Sequence, residues 1–379
     1  MRRGSAPRSA SAHRSKKSLA DQARSLRVLY FGTYERDYPR NAQVISALRD
    51  AGVDVFERHA GVWEGRRDNW AARWGAAIRL FFAEVRLRFA PRVPFDAVIV
   101  GYPGHFDVPR ARRVAGKRPL IFNPLVSLHE TLVSDRGRFK KGRFGASVLS
   151  AVDRRALRKP DLVVADTEAN ADFLAELGDI PRARVRVCLV GAEDRLFHAG
   201  WRPDEPFRML FVGKLIPLHG VETILEAARL APELPIRLIG SGQLNRVLEN
   251  RPPNVEWVHW ITYEDLPREY WGAGCALGIF GTSDKGQRVI PNKAYQALAC
   301  GTPLITADTR GARELLTDGE NAILVPPGDP GALAEAMRRV AADLELARRL
   351  SAAGRQVYEE QASEDVLGPR WRALIEELL

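Results

Sequence analysis

Lys214 stands just past a short apolar run, at the start of a loop that opens with Gly213 and ends with His219-Gly220. A lysine beside glycines at a strand end can reach into a cleft and neutralise an anion there, helped by backbone N–H groups. His219 adds a second basic group, neutral or charged according to its surroundings. Further on, Asn292-Lys293 opens a helical pattern. A lysine in the first turn has the wrong charge for the positive end of a helix dipole, unless an anion is bound there. Gln296, three residues on, shares that face and can accept a hydrogen bond through its uncharged amide oxygen. Arg288 cannot accept at all, but its planar fork can pair with a phosphate or a carboxylate. Of those two partners a phosphate is preferred, because Lys293 and the helix start already converge on an anion. Two histidines follow strand-like runs in the other half: His105 in Gly101–Asp107 and His129 in Leu128-His129-Glu130. Each is a candidate proton-transfer group and equally an ordinary loop histidine, since geometry decides. Pro39-Arg40-Asn41 lies in a third such loop. No Asp-x-Asp pair stands at a strand end, so fixed cations rather than a metal are expected to hold the anion.

These loops need strands and helices to aim them. Strand-like runs recur at 28–31, 53–56, 97–100, 120–122, 162–165 and 185–189, with helical patterns between most of them. The alternation restarts at 209–212, 236–239, 255–258, 276–279, 304–306 and 323–325. Alternating strands and helices predict an α/β fold of two doubly wound Rossmann-like domains, 26–200 and 201–379, around a central cleft. The stretch 197–206, with Gly200, Pro203 and Pro206, reads as the linker, and the final helix is expected to be free to pack back on the N-terminal domain. A dinucleotide-binding turn would need G-x-G-x-x-G after the first strand. Gly32-Thr33-Tyr34-Glu35-Arg36 lacks it, which argues against an oxidoreductase.

The 379 residues carry a net charge of +10. Residues 1–25 alone contribute +6 and almost no large apolar side chain, so they read as a disordered basic tail. No basic face interleaved with stacking aromatics is present, and no nucleic-acid partner is expected. Cys188, Cys275 and Cys300 lie far apart in apolar patterns and read as buried thiols, with neither a disulfide framework nor a zinc site. No apolar run approaches the ~20 residues that span a bilayer. Together these predict a cytoplasmic protein. One stripe tempers that: Trp70, Trp74, Ile78, Phe81, Phe82 and Val85 share a helical face opposite Arg79 and Arg86. It fits either packing on a sheet or a peripheral contact with the inner face of the membrane, which the basic residues 140–143 and 154–159 would strengthen.

Phe211–Ala228, Pro291–Pro303, Gly311–Leu315 and Asp318–Asp329, in this order and spacing, closely resemble the donor-binding domain of glycosyltransferase family 4, retaining enzymes of the GT-B fold. The resemblance is strong over about 205–345 and reaches Val190–Phe197. It implies that Gly213, Lys214, His219, Gly220, Asn292, Lys293, Gln296 and Glu314 contact a nucleotide-diphosphate sugar, with no other cofactor and no metal. It implies further that Lys214, Arg288, His105 and His129 are the groups nearest the chemistry. The acceptor would be a hydroxyl, lipid-linked or free, in polysaccharide, glycolipid or small-molecule glycoside synthesis. The family pattern carries Glu at the two positions that read Arg288 and Gln296 here. That departure leaves room for a subunit that binds the donor without catalysis, and for a GT-B epimerase or phosphorylase.

Overall fold

The computed structural model describes residues 25–36, 38–62, 79–80, 82–83, 85–87, 93–135 and 144–379. The basic tail up to residue 24, Trp70, Trp74, Ile78, Phe81 and the basic run 140–143 lie outside the described residues.

The short apolar runs become two parallel sheets. In the first, β1 (Arg27–Gly32), β2 (Asp54–His59), β3 (Ala97–Val100), β4 (Leu120–Phe122), β5 (Leu162–Ala165) and β6 (Val185–Val187) lie in the order β2-β1-β3-β4-β5-β6. In the second, β7 (Met209–Val212), β8 (Ile236–Ile239), β9 (Val255–Val258), β10 (Cys275–Leu277), β11 (Leu304–Ala307) and β12 (Ile323–Val325) lie in the order β12-β11-β10-β7-β8-β9. Central strands such as Ala97–Val100 and Leu162–Ala165 are buried throughout, as strands covered by helices on both faces must be. The first sheet is flanked by α1 (Pro39–Asp50), α2 (Val108–Ala115), α3 (Phe144–Arg158) and α4 (Glu168–Gly178). The second carries α5 (Val221–Leu230), α6 (Leu266–Gly272), α7 (Asn292–Cys300), α8 (Pro330–Ala342) and α9 (Leu344–Gln361). Strand order reverses between β1 and β3 and between β7 and β10. Ligands of open parallel sheets sit at such switch points, beyond the strands' carboxyl ends.

The last helix, α10 (Glu364–Glu376), leaves the second domain and packs on α1 of the first. Gly368 permits this: the Ala47 carbonyl fills the space a side chain would need. Trp371 is fully buried, with the Arg40 guanidinium 5.4 Å from its ring centre, and Arg372 donates to the Ala51 carbonyl at 3.1 Å. Arg40 also donates to Asn123 Oδ1, Leu189 O and Cys188 O at 3.1, 2.6 and 3.0 Å. Asn41 accepts from the Tyr30 hydroxyl and donates to the Tyr102 carbonyl. The Arg40-Asn41 pair, expected in the cleft, is therefore a buried tie between loops of the first domain and the returning helix. The three cysteines are free and buried, and burial pushes the Cys188 thiol up to about 11.

Candidate active site

The two domains present equivalent turns at their switch points, and the turns differ in charge. After β1, Gly32 has φ +130°, and a Cβ there would overlap the Asp107 carboxylate. That carboxylate accepts from Thr33 N at 2.8 Å and from the Thr33 hydroxyl, and it is fully buried. The N-terminal turn is thus already filled by an acid of the protein. After β7, Gly213 has φ +155°, and the atom nearest to where its Cβ would stand is Lys293 Nζ, at 2.7 Å. The C-terminal turn is met by a cation.

Lys293 reaches this turn from the first turn of α7. It is only 7% exposed, its Nζ lies 3.8 Å from the centre of the Phe211 ring, and it has no hydrogen-bond partner. No side chain caps α7, so its first N–H groups add to the positive potential. Asn292, half-buried, is the first residue of the helix. Lys214 is exposed at the rim, and its carbonyl holds His219 through Nδ1. Burial, then the nearby Lys293, hold the His219 imidazole well below its ordinary range. Gly220, with φ +65°, lies against the backbone of Phe280 and Gly281, where a Cβ would not fit. The structure thus brings Gly213, Lys214, His219, Gly220, Asn292 and Lys293 together around one cradle. Such a group of N–H donors and cations can hold a polyanion and stabilise charge that grows on it. Gln296 is buried on the next turn of α7, and its amide oxygen accepts from the Tyr270 hydroxyl at 3.1 Å.

Lys285 is a member that sequence reasoning missed. It is buried, bears on His219 electrostatically and donates to the Thr131 hydroxyl of the other domain at 3.2 Å. In the sequence, Asp284-Lys285-Gly286 reads only as a turn.

Three other expected site residues have different roles in the structure. His105 is 3% exposed and pairs with the fully buried Asp153 at 3.4 Å, while burial holds its imidazole below the ordinary range. It is a core histidine and not a cleft group. Glu314 spends both carboxylate oxygens on the start of α4, accepting from Glu168 N at 2.6 Å and Ala169 N at 2.9 Å. It caps a helix of the facing domain, a favourable place for a negative charge. Arg288 also crosses the cleft, pairing with Glu130 and stacking over Phe173 at 4.0 Å. Its carbonyl accepts from the Thr167 hydroxyl.

His129, half-buried, sits beside Glu130 on a turn held by Asp153. Asp153 accepts from the Ser127 hydroxyl at 2.6 Å, Leu128 N at 2.9 Å and His129 N at 3.0 Å. Ser127 in turn accepts from Glu130 N at 3.0 Å. The Ser127-x-x-Glu130 spacing of a helix-capping box was the signal that could have located this turn.

Two facing Rossmann-like domains, with the cation-lined cradle on the second, define a GT-B architecture. Solved structures share it across the chain. Sucrose-phosphate synthase from Thermosynechococcus elongatus superposes with a TM-score of 0.71 at 18% identity, covering 94% of this chain and 99% of that one. Anabaena HepE, solved with UDP and glucose, gives 0.64 at 15% identity, covering 93% and 100%. Residues 206–343 match the family model of the group 1 glycosyl transferases. The D-inositol 3-phosphate glycosyltransferase of Nocardioides sp. is 28% identical over 343 residues, covering 79% of this chain and 71% of that protein. The lipopolysaccharide core biosynthesis glycosyltransferase LpsE of Rhizobium meliloti is 25% identical, covering 62% and 70%. The chain is a GT-B glycosyltransferase with a group 1 glycosyl transferase domain in its C-terminal half.

Proposed function

We propose that this glycosyltransferase takes its sugar from a nucleotide-diphosphate donor seated on the C-terminal sheet. It passes the sugar, with retention and without a metal, to a hydroxyl of an acceptor on the N-terminal domain. The contrast between the two switch-point turns carries this reading. A diphosphate would meet the buried Asp107 carboxylate at Gly32, but Lys293 Nζ, without a hydrogen-bond partner, and the N-terminus of α7 at Gly213. Structures of Anabaena HepE with UDP and with UDP-glucose support the donor class. The names of the relatives support a setting in polysaccharide, glycolipid or small-molecule glycoside synthesis.

In the transfer, the bond from the anomeric carbon to the diphosphate oxygen breaks, and the bond to the acceptor oxygen forms on the same face. The departing diphosphate accepts the acceptor's proton. Lys214, Lys293 and the α7 N–H groups offset the charge that develops on it, which is where a fixed electrostatic site lowers the barrier. A cradle of fixed cations needs no metal to bridge the phosphates. The test is transfer from a panel of nucleotide-diphosphate sugars in the presence of EDTA, with the product anomer read by NMR. Full activity in EDTA and a product with the donor's anomeric configuration are expected. Strict dependence on added magnesium or manganese, or an inverted product, would contradict the reading.

A further inference from the structure

Lys293 is an unusual basic residue, because among the described residues no carboxylate or hydrogen-bond acceptor meets its Nζ. Its Nζ is buried without a hydrogen-bond partner against the face of Phe211 and the Gly213 turn. His219 stands beside it, its Cε1 3.2 Å from where a Gly213 Cβ would lie. Among the described residues the charged groups that bear most on His219 are Lys293, Lys285 and Lys214, all basic. Lys293 itself has burial acting on it and no carboxylate. An ammonium in such a place gives up its hydration for little more than the face of the Phe211 ring, so burial favours the neutral amine while the site is empty. A diphosphate entering the turn supplies the missing counter-charge and the missing acceptor oxygens together.

We propose that binding of the nucleoside diphosphate is coupled to proton uptake from solvent by the buried Lys293 and the half-buried His219 beside it. This rests on the reading of the C-terminal cradle as the donor site. The only bonds formed are N–H bonds, at Lys293 Nζ and on the imidazole, with water or buffer as the source. Burial holds both groups well below their ordinary ranges in the empty protein, and the anion raises them. The bound state therefore carries more protons than the free state, and affinity rises as pH falls. The gain stops once the pair is protonated in the empty protein as well. For one proton the slope is about tenfold in Kd per pH unit. The empty cradle is less cationic than a count of its basic residues suggests, and product release returns the protons.

The test is calorimetric titration of the full chain with bare UDP and GDP at about pH 8. The terminal phosphate, with a pKa of about 6, is ionised there and contributes no proton of its own. Repeating the titration in buffers of different ionisation enthalpy gives the number of protons exchanged as the slope of the observed enthalpy. Uptake of about one proton is expected for the wild type, with a smaller slope in Lys293→Met. If Lys293→Met does not fold, His219→Gln serves, because it removes the imidazole's share and must also lower the slope. Binding with zero slope overturns the proton coupling and leaves the donor site standing. A slope unchanged in a folded variant of either residue overturns its assignment to that residue. If neither nucleotide binds and ADP also fails to bind, the donor-site reading fails and the coupling falls with it.

Discussion

Arg288 ties the C-terminal domain to its partner instead of reaching for the cradle. With Arg288 and Glu130 only 15% and 14% exposed, the pair lies largely out of water, and the Phe173 ring covers the guanidinium's face. Removing one member of such a pair strands the other, so the loss exceeds that of a surface ion pair. Arg288→Ala is predicted to lower kcat/KM on the order of tenfold by loosening the cleft while leaving the Kd of bare nucleoside diphosphate within about twofold. A tenfold loss of nucleotide affinity would return Arg288 to the diphosphate. Nothing in the sequence foretells the pairing, since Glu130 lies 158 residues away and only the juxtaposed domains bring the two together. His105 was no more legible, because its partner Asp153 sits on α3, far along the chain within the same domain. Lys293 drew notice for a local reason: it breaks the charge rule for a helix start, and the structure leaves its Nζ buried without a hydrogen-bond partner.

At the scale of elements the sequence was more informative. Buried parallel strands are continuous apolar runs, so β7 and β12 fall where the runs 209–212 and 323–325 lie, while β8 and β9 match 236–239 and 255–258 although Arg237 and Glu256 interrupt them. The helical turns within 79–87 were harder to read, because an amphipathic stripe does not say which face meets the protein. There Ala83 and Leu87 turn into the core, while Phe82, 65% exposed, and Val85 face outward with Arg86. Phe82 and Val85 therefore share the exposed side with an arginine and do not oppose it, as the stripe had suggested. An exposed aromatic and aliphatic pair beside a cation suits an anionic membrane surface. Among the described residues no helix is long and apolar enough to cross one. The full chain is predicted to sediment with anionic liposomes and to be released by salt, and Phe82→Ser with Arg86→Ser should reduce the bound fraction. No sedimentation by a folded wild-type chain would leave the exposed pair as plain surface.

At the scale of the whole molecule, the ties between the two sheets among the described residues include Glu314 on α4, the Lys285–Arg288 loop against Thr131 and Glu130, and α10 on α1. The first two lie beside the cleft, and the third ties the chain's end to the opposite domain. All three bring the first domain close to a cradle whose basic residues belong to the second. The central claim is that this cradle holds the donor's diphosphate. The most direct test is thermal unfolding of the full chain against UDP, GDP, ADP and NAD, repeated with Lys214→Ala, an exposed position where the change should not disturb folding. A ligand at 100 times its Kd adds about 2.7 kcal/mol to the folded state. At least one nucleoside diphosphate is predicted to raise the wild-type midpoint by several degrees, with a clearly smaller rise in Lys214→Ala and none from NAD. A midpoint that no nucleoside diphosphate moves, or that NAD raises, would contradict the account.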